Sequence, residues 1–168
     1  DFGCTWALVG HSERRSMHAE TDQQVADKAQ AALTAGLIPV VCVGESLAER
    51  DAGQAIAVIE RQLAPVLALG AESVNKLVVA YEPVWAIGTG KTATPEDAQE
   101  VCAAIRAEVS KIGSPEIADN MRILYGGSVK SANIAEIMKK DDVDGALIGG
   151  ASLDPEELAK IARYHRGE

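Results

Sequence analysis

AYEPVWAIGTGKTATPE, residues 80–96, is the stretch whose reading settles the architecture. It closes the apolar run Leu77-Val78-Val79-Ala80-Tyr81, ends that run on an acid, Glu82, and sets the acid against Pro83. Proline biases the residue before it toward extended backbone, so the direction of the Glu82 side chain is constrained by the chain itself. A Trp, two glycines, a Lys and small hydroxyl residues follow, and then Thr94-Pro95-Glu96-Asp97. That last motif starts a helix: a hydroxyl cap, Pro at the first helical position and an acid three residues beyond the cap. A strand, a long small-residue loop and a capped helix make one βα unit. A loop of about a dozen residues in a compact domain is uncommon unless it is functional.

The same unit recurs on both sides. Apolar runs stand at Trp6-Ala7-Leu8-Val9, at residues 37–43, at Arg122-Ile123-Leu124-Tyr125 and at residues 145–148. They are continuous rather than alternating, as parallel strands covered on both faces require. Helical periodicity fills the gaps. One helix is predicted from about Asp22 to Ala35, stopped by Gly36, and another from about Gly53 to Leu69, interrupted at Pro65 and ended by Gly70. Short helices are predicted from about Ser131 and from Pro155. The expectation is an α/β fold of parallel (βα) units, about five of them, in a single domain over residues 1–168, with no linker or second domain.

Of the 168 residues, 25 are acidic and 16 basic, giving a net charge of −9. No basic stripe appears, which argues against a nucleic-acid or anionic-membrane surface. No apolar run approaches the roughly 18 residues of a membrane span. Cys4, Cys42 and Cys102 are widely spaced and fit neither a disulfide framework nor a CxxC metal site. Cys42 and Cys102 are expected to be buried thiols, and the default compartment is a reducing cytoplasm. The chain opens Asp1-Phe2-Gly3 without an initiator Met, which is compatible with a start elsewhere.

In parallel α/β folds ligands gather at the carboxyl ends of strands, and small or functional residues occupy every strand exit here. Glu82 is a candidate general base, because a carboxylate in a water-poor site gains basicity by desolvation. His11, in Gly10-His11-Ser12-Glu13-Arg14-Arg15, stands where a helical turn can start, and backbone N–H groups there favour a neutral imidazole able to donate to a carbonyl oxygen. Gly126-Gly127-Ser128 and Gly149-Gly150 let backbone N–H groups approach an oxyanion, so an acidic chain can hold a phosphate through dipoles. The loop after Glu82 reads as a lid, with Pro83-Val84-Trp85 and Lys91-Thr92-Ala93 as hinges and Ala86-Ile87-Gly88-Thr89-Gly90 between them. Each feature taken alone has a plain structural alternative: a salt-bridged acid, a structural histidine, a pair of tight turns, a surface loop.

Together, GHSERR (10–15), VVCVGE (40–45), AYEPVWAIGTGKTAT (80–94), ILYGGSV (123–129) and DVDGALIGGASL (142–153) resemble the triosephosphate isomerase family, in the family's order and over most of the chain. The resemblance implies a TIM barrel and interconversion of dihydroxyacetone phosphate and D-glyceraldehyde 3-phosphate in glycolysis and gluconeogenesis. No metal or organic cofactor is expected, and the family is homodimeric. It implies Glu82 as catalytic base and His11 as neutral electrophile, with Ser12 beside the histidine and Glu13 as the acid next to the site. Gly88, Ser128, Gly149 and Gly150 fall on phosphate-contacting positions, and Tyr125 with Ser128 on the pair that holds the lid shut. The family barrel has eight strands and about 250 residues, whereas this chain starts at what looks like the fourth strand. The first three units, with an active-site Asn and Lys and the loop that interlocks with a partner subunit, are not in this sequence. The alternative expectation is therefore a catalytically inactive barrel fragment that self-associates through its open edges.

Overall fold

Each apolar run forms a strand, and the strands lie side by side in chain order because every connection is a helical crossover. The computed structural model describes residues 2–89 and 91–166, so Asp1 and Gly90 of the expectations above lie outside the described residues. The strands are β1 (Trp6–Val9), β2 (Ile38–Val43), β3 (Val78–Tyr81), β4 (Arg122–Tyr125) and β5 (Gly145–Ala146), all parallel in one sheet of order β1-β2-β3-β4-β5. This is an α/β fold consistent with an incomplete TIM barrel.

After β1 come α1 (Ser12–His18) and α2 (Asp22–Thr34), and after β2 come α3 (Leu47–Asp51), α4 (Ala55–Leu67) and α5 (Ala71–Val74). The lid and α6 (Pro95–Ile112) follow β3, with α7 (Pro115–Asn120) leading into β4. The chain then forms α8 (Ile134–Ile137), β5 and α9 (Pro155–Ala162). Among the described residues no helix is long and apolar enough to cross a membrane.

The period-2 alternation of the strands divides the core into two layers. Val41, Val43, Val79, Tyr81, Ile123 and Tyr125 face the helices and pack with Val25, Leu63, Val101 and Ile105. Val40, Cys42, Val78 and Ala80 face the other way, joined by Ile38, Leu124 and Leu147. The central strands β2 and β3 are thus buried on both faces, as their continuous apolar runs anticipate. At the edge strand β1 the inner face is open: Trp6 and Leu8 are 46 % and 52 % exposed.

Three expectations are corrected. Pro65 does not interrupt its helix, and α4 runs through it to Leu67. The ring removes one helical hydrogen bond at a cost of about 3 kcal/mol, whereas Leu63, Val66 and Leu67 around it are buried, each worth about 1.5–3 kcal/mol. The fifth strand ends at Ala146, because it is paired on one side only and the ladder closes once the Leu147 N–H donates to the Tyr125 carbonyl. The helix expected from Ser131 starts at Ile134, since residues 131–133 form turns and the Asn133 side chain accepts the Lys130 N–H instead.

At the carboxyl ends of β2 and β3 the two backbones nearly touch. A Cβ on Gly44 would stand 1.7 Å from the Glu82 carbonyl oxygen. The buried Gln62 side chain brackets the same residue, accepting the Gly44 N–H at 2.8 Å and donating to its carbonyl at 3.0 Å. Gly44→Ala must therefore push the strands apart, and the expected loss is about 3 kcal/mol or more of unfolding free energy, read from the urea midpoint. A variant as stable as the wild type would contradict the close approach.

Candidate active site

The site starts where β1 ends. His11 caps α1, its Nδ1 accepting the Glu13 backbone N–H at 3.2 Å. An imidazole whose Nδ1 accepts carries its hydrogen on Nε2 in the neutral form. That Nε2 lies 3.1 Å from Oε1 of Glu82. The other carboxylate oxygen, Oε2, accepts the Ser12 backbone N–H at 3.2 Å. Glu82 is only 3 % exposed. Residues 71 and 70 positions apart in sequence are thus joined through a single carboxylate.

Burial raises the Glu82 carboxyl above its ordinary value, opposed by His11, the Ser12 N–H, the Cys42 thiol and Arg15. Cys42 is wholly buried, and the same loss of water pushes its thiol up, reinforced by Glu82. Arg15 ties the exits of β1 and β2 together: its Nε donates to the Gly10 carbonyl at 2.8 Å, Nη2 to the Cys42 carbonyl at 3.3 Å, and Nη1 to Asp22 at 2.5 Å.

A cleft of about 360 Å³ opens at these strand ends, lined by His11 and Glu82, by Ser128, Gly149 and Gly150 of the two glycine-rich exits, and by Gly88 of the lid. Six of the sequence-expected site residues therefore share one cavity, and Lys130 lines it too. The other three do not. Ser12 reaches the site through its backbone N–H, and the Glu13 side chain is exposed, its N–H serving as the His11 cap. Tyr125 lies under the glycines with its hydroxyl buried and, among the described residues, without a partner. Burial pushes that phenol up to about 12. The Ser128 carbonyl accepts the Asn133 amide at 2.8 Å. Among the described residues neither Tyr125 nor Ser128 bonds the lid.

The lid begins as a 3₁₀ turn, Val84–Ala86. Gly88 sits at φ +68°, a left-handed conformation that side chains disfavour, and the Thr89 hydroxyl returns to the Trp85 carbonyl at 2.6 Å. Trp85 itself is held by a residue that the sequence alone did not single out. Glu45 is wholly buried, and its Oε1 accepts from the Trp85 indole at 2.8 Å, the Tyr81 hydroxyl at 3.0 Å and Arg50 Nη1 at 3.1 Å. The Arg50 guanidinium also stands 5.3 Å from the Trp85 ring centroid, a cation–π distance, and pairs with Asp97 in the first turn of α6. The available sequence signal was Gly44-Glu45 at the exit of a wholly apolar strand, followed five residues later by an arginine.

Among the described residues no group of three His, Cys, Asp or Glu side chains could hold a metal ion. A parallel βα sheet with an acid, a histidine and two glycine turns around one cleft at its strand ends has the plan of a βα-barrel domain, in which ligand sites lie at the strand ends. The comparisons with known proteins narrow that plan. Residues 1–165 match the triosephosphate isomerase family, and the chain belongs to it. It is 61 % identical over 162 residues to the triosephosphate isomerase of Bordetella pertussis, covering 96 % of this chain and 64 % of that protein. It is 57 % identical over 161 residues to that of Paracidovorax citrulli (96 % and 63 %) and 54 % over 167 residues to that of Mycobacterium avium (99 % and 64 %). The chain thus spans less than two thirds of the length of these relatives.

The raised Glu82 carboxyl has a stability consequence. The native chain keeps a proton on Glu82 at pH values where the unfolded chain, with an ordinary value of 4.5, has lost it. The stability tied to that proton is complete below the ordinary value and is lost as pH rises through the raised native value. Urea midpoints measured from pH 4 upward (on the order of one unit per step) should fall in the wild type relative to Glu82→Gln. A flat or rising difference would mean that burial does not govern this carboxylate.

Proposed function

We propose that this chain is the larger part of a triosephosphate isomerase acting on a small phosphorylated triose, interconverting dihydroxyacetone phosphate and D-glyceraldehyde 3-phosphate without a metal or organic cofactor. The observation that carries the reading is the 3.1 Å contact between His11 Nε2 and Glu82 Oε1 inside the cleft that Ser128, Gly149 and Gly150 also line. A substrate phosphate at the glycine turns places its carbonyl end toward the acid and the histidine. Glu82 takes a proton from the carbon beside the carbonyl and returns it to the neighbouring carbon, and its raised basicity suits that task. The His11 Nε2–H, beside Glu82 in the free chain, turns to the substrate oxygen and stabilises the enediolate charge. Gly88 brings a lid backbone to the same cleft, and Tyr125 with Ser128 would hold the lid when it closes.

The active-site Asn and Lys of the family lie in units outside this sequence, so the activity is assigned to the completed barrel, as are the family homodimer and a cytoplasmic location. Free Cys4, Cys42 and Cys102 support a reducing compartment. A second reading applies to the 168-residue chain by itself: an inactive, self-associating fragment. The edges of β1 and β5, unpaired among the described residues, favour it rather than the sheet face.

The test is isomerase activity on glyceraldehyde 3-phosphate, with the chain alone and with a polypeptide supplying the missing units. Activity should appear only in the mixture and drop about a thousandfold in Glu82→Gln. Activity that ignores Glu82, or silence in the mixture, would overturn the assignment. Light scattering on the chain alone should give a mass above the monomer, and a monodisperse monomer would remove the second reading.

A further inference from the structure

The open face of the sheet carries a charge that nothing on it answers. Arg122 starts β4 in register with Val78, an inner-face core residue, and lies two positions before Leu124, which packs on the same inner cluster. Period-2 alternation therefore puts Arg122 on the inner face, among Trp6, Leu8, Ile38 and Val40. Its side chain is exposed, and among the described residues it makes no hydrogen bond or ion pair. The half-buried arginines behave otherwise: Arg15, Arg50 and Arg106 each bind at least one carboxylate.

We infer that this face is the docking surface for a parallel-stranded segment carrying an inward-facing carboxylate opposite Arg122. The inference rests on the family reading above and adds the chemistry of what covers the sheet. An apolar face with Trp6 and Leu8 half exposed gains by being covered. Once covered, a guanidinium without an acceptor would be a costly buried charge, so the cover must bring one. A second copy of this chain does not fit. A two-fold pairing sets the same patch against itself, which brings Arg122 toward Arg122, and the inward positions of β1 to β5 hold no carboxylate. The curated relatives, in contrast, extend beyond the matched portion by roughly a third of their length, enough for several more βα units.

The probe is a polypeptide comprising the part of the Bordetella pertussis relative that lies outside the match, titrated onto the 168-residue chain and followed by sedimentation velocity. Arg122 is exposed in the free chain, so Arg122→Glu and Arg122→Leu should keep the wild-type far-UV spectrum and melting temperature. The wild type should bind the probe. Arg122→Glu should bind about a hundredfold more weakly and Arg122→Leu at least tenfold more weakly, because each leaves the carboxylate unpaired. Changing the probe's Asp and Glu residues to Arg one at a time should reveal one position that restores binding to Arg122→Glu. Equal binding by all three chains overturns the inference. So does a wild type that ignores the probe and pairs with itself. A complex that depends on Arg122 yet shows no isomerase activity would sink the functional reading and leave the surface standing, while an active complex indifferent to Arg122 would do the reverse.

Discussion

Where β2 and β3 end, the Gly44 backbone lies against the Glu82 carbonyl with no room for a side chain between them. The Glu82 N–H donates to the Val43 carbonyl at 2.7 Å, and Gln62 holds Gly44 from the helical side. The functional groups hang from this seam. It sets the Glu82 Cα, and Pro83 then turns the chain into the 3₁₀ segment that delivers Trp85 to Glu45, the residue after Gly44. The candidate base and the anchor of the lid are therefore placed by one backbone contact. Neither can shift without disturbing the other.

Two carboxylates buried within a few residues of that seam meet different surroundings. Glu45 receives three donors on one oxygen, including a guanidinium that stacks on the same indole. It fastens β3, α3 and the first hinge of the lid. Glu82 receives a backbone N–H on one oxygen, has the His11 imidazole 3.1 Å from the other, and takes no guanidinium bond. A desolvated carboxylate held only by such donors is the one whose affinity for a proton rises. The strand ends thus set two acids of one residue type in contrasting surroundings, one fastened by three donors and one desolvated.

What was legible in the sequence follows from the range of each interaction. The βα alternation was legible because the sheet is parallel and its central strands need apolar residues at every position. Glu82, His11 and the glycine exits were legible because strand exits can be located once the strands are. Glu45 was not, because its meaning lies in bonds to Tyr81 and Trp85, 36 and 40 positions away, which no local pattern displays. The failed break at Pro65 is a similar case: local propensity pointed to an interruption, and the burial of Leu63, Val66 and Leu67 outweighed it. Trp6-Ala7-Leu8-Val9 reads as a strand covered on both sides, and its half-exposed state depends on the number of neighbouring strands, which the run does not encode.

The layered construction also separates what the five strands can do from what they cannot. Helix-side packing is continuous from Val25 to Ile161, and the seam at Gly44 belongs to the central strands, so the acid and the histidine hold their geometry without a cover on the inner face. The cleft is closed less completely. In a chain of net charge −9 the cleft offers the backbone dipoles of the glycine exits and the Lys130 that lines it. Its open side lies next to Leu8, which lines the cleft and is half exposed. Covering the apolar face and walling the cleft are therefore one structural event, since any segment that buried Leu8 from the inner side would also close the cleft that Leu8 lines.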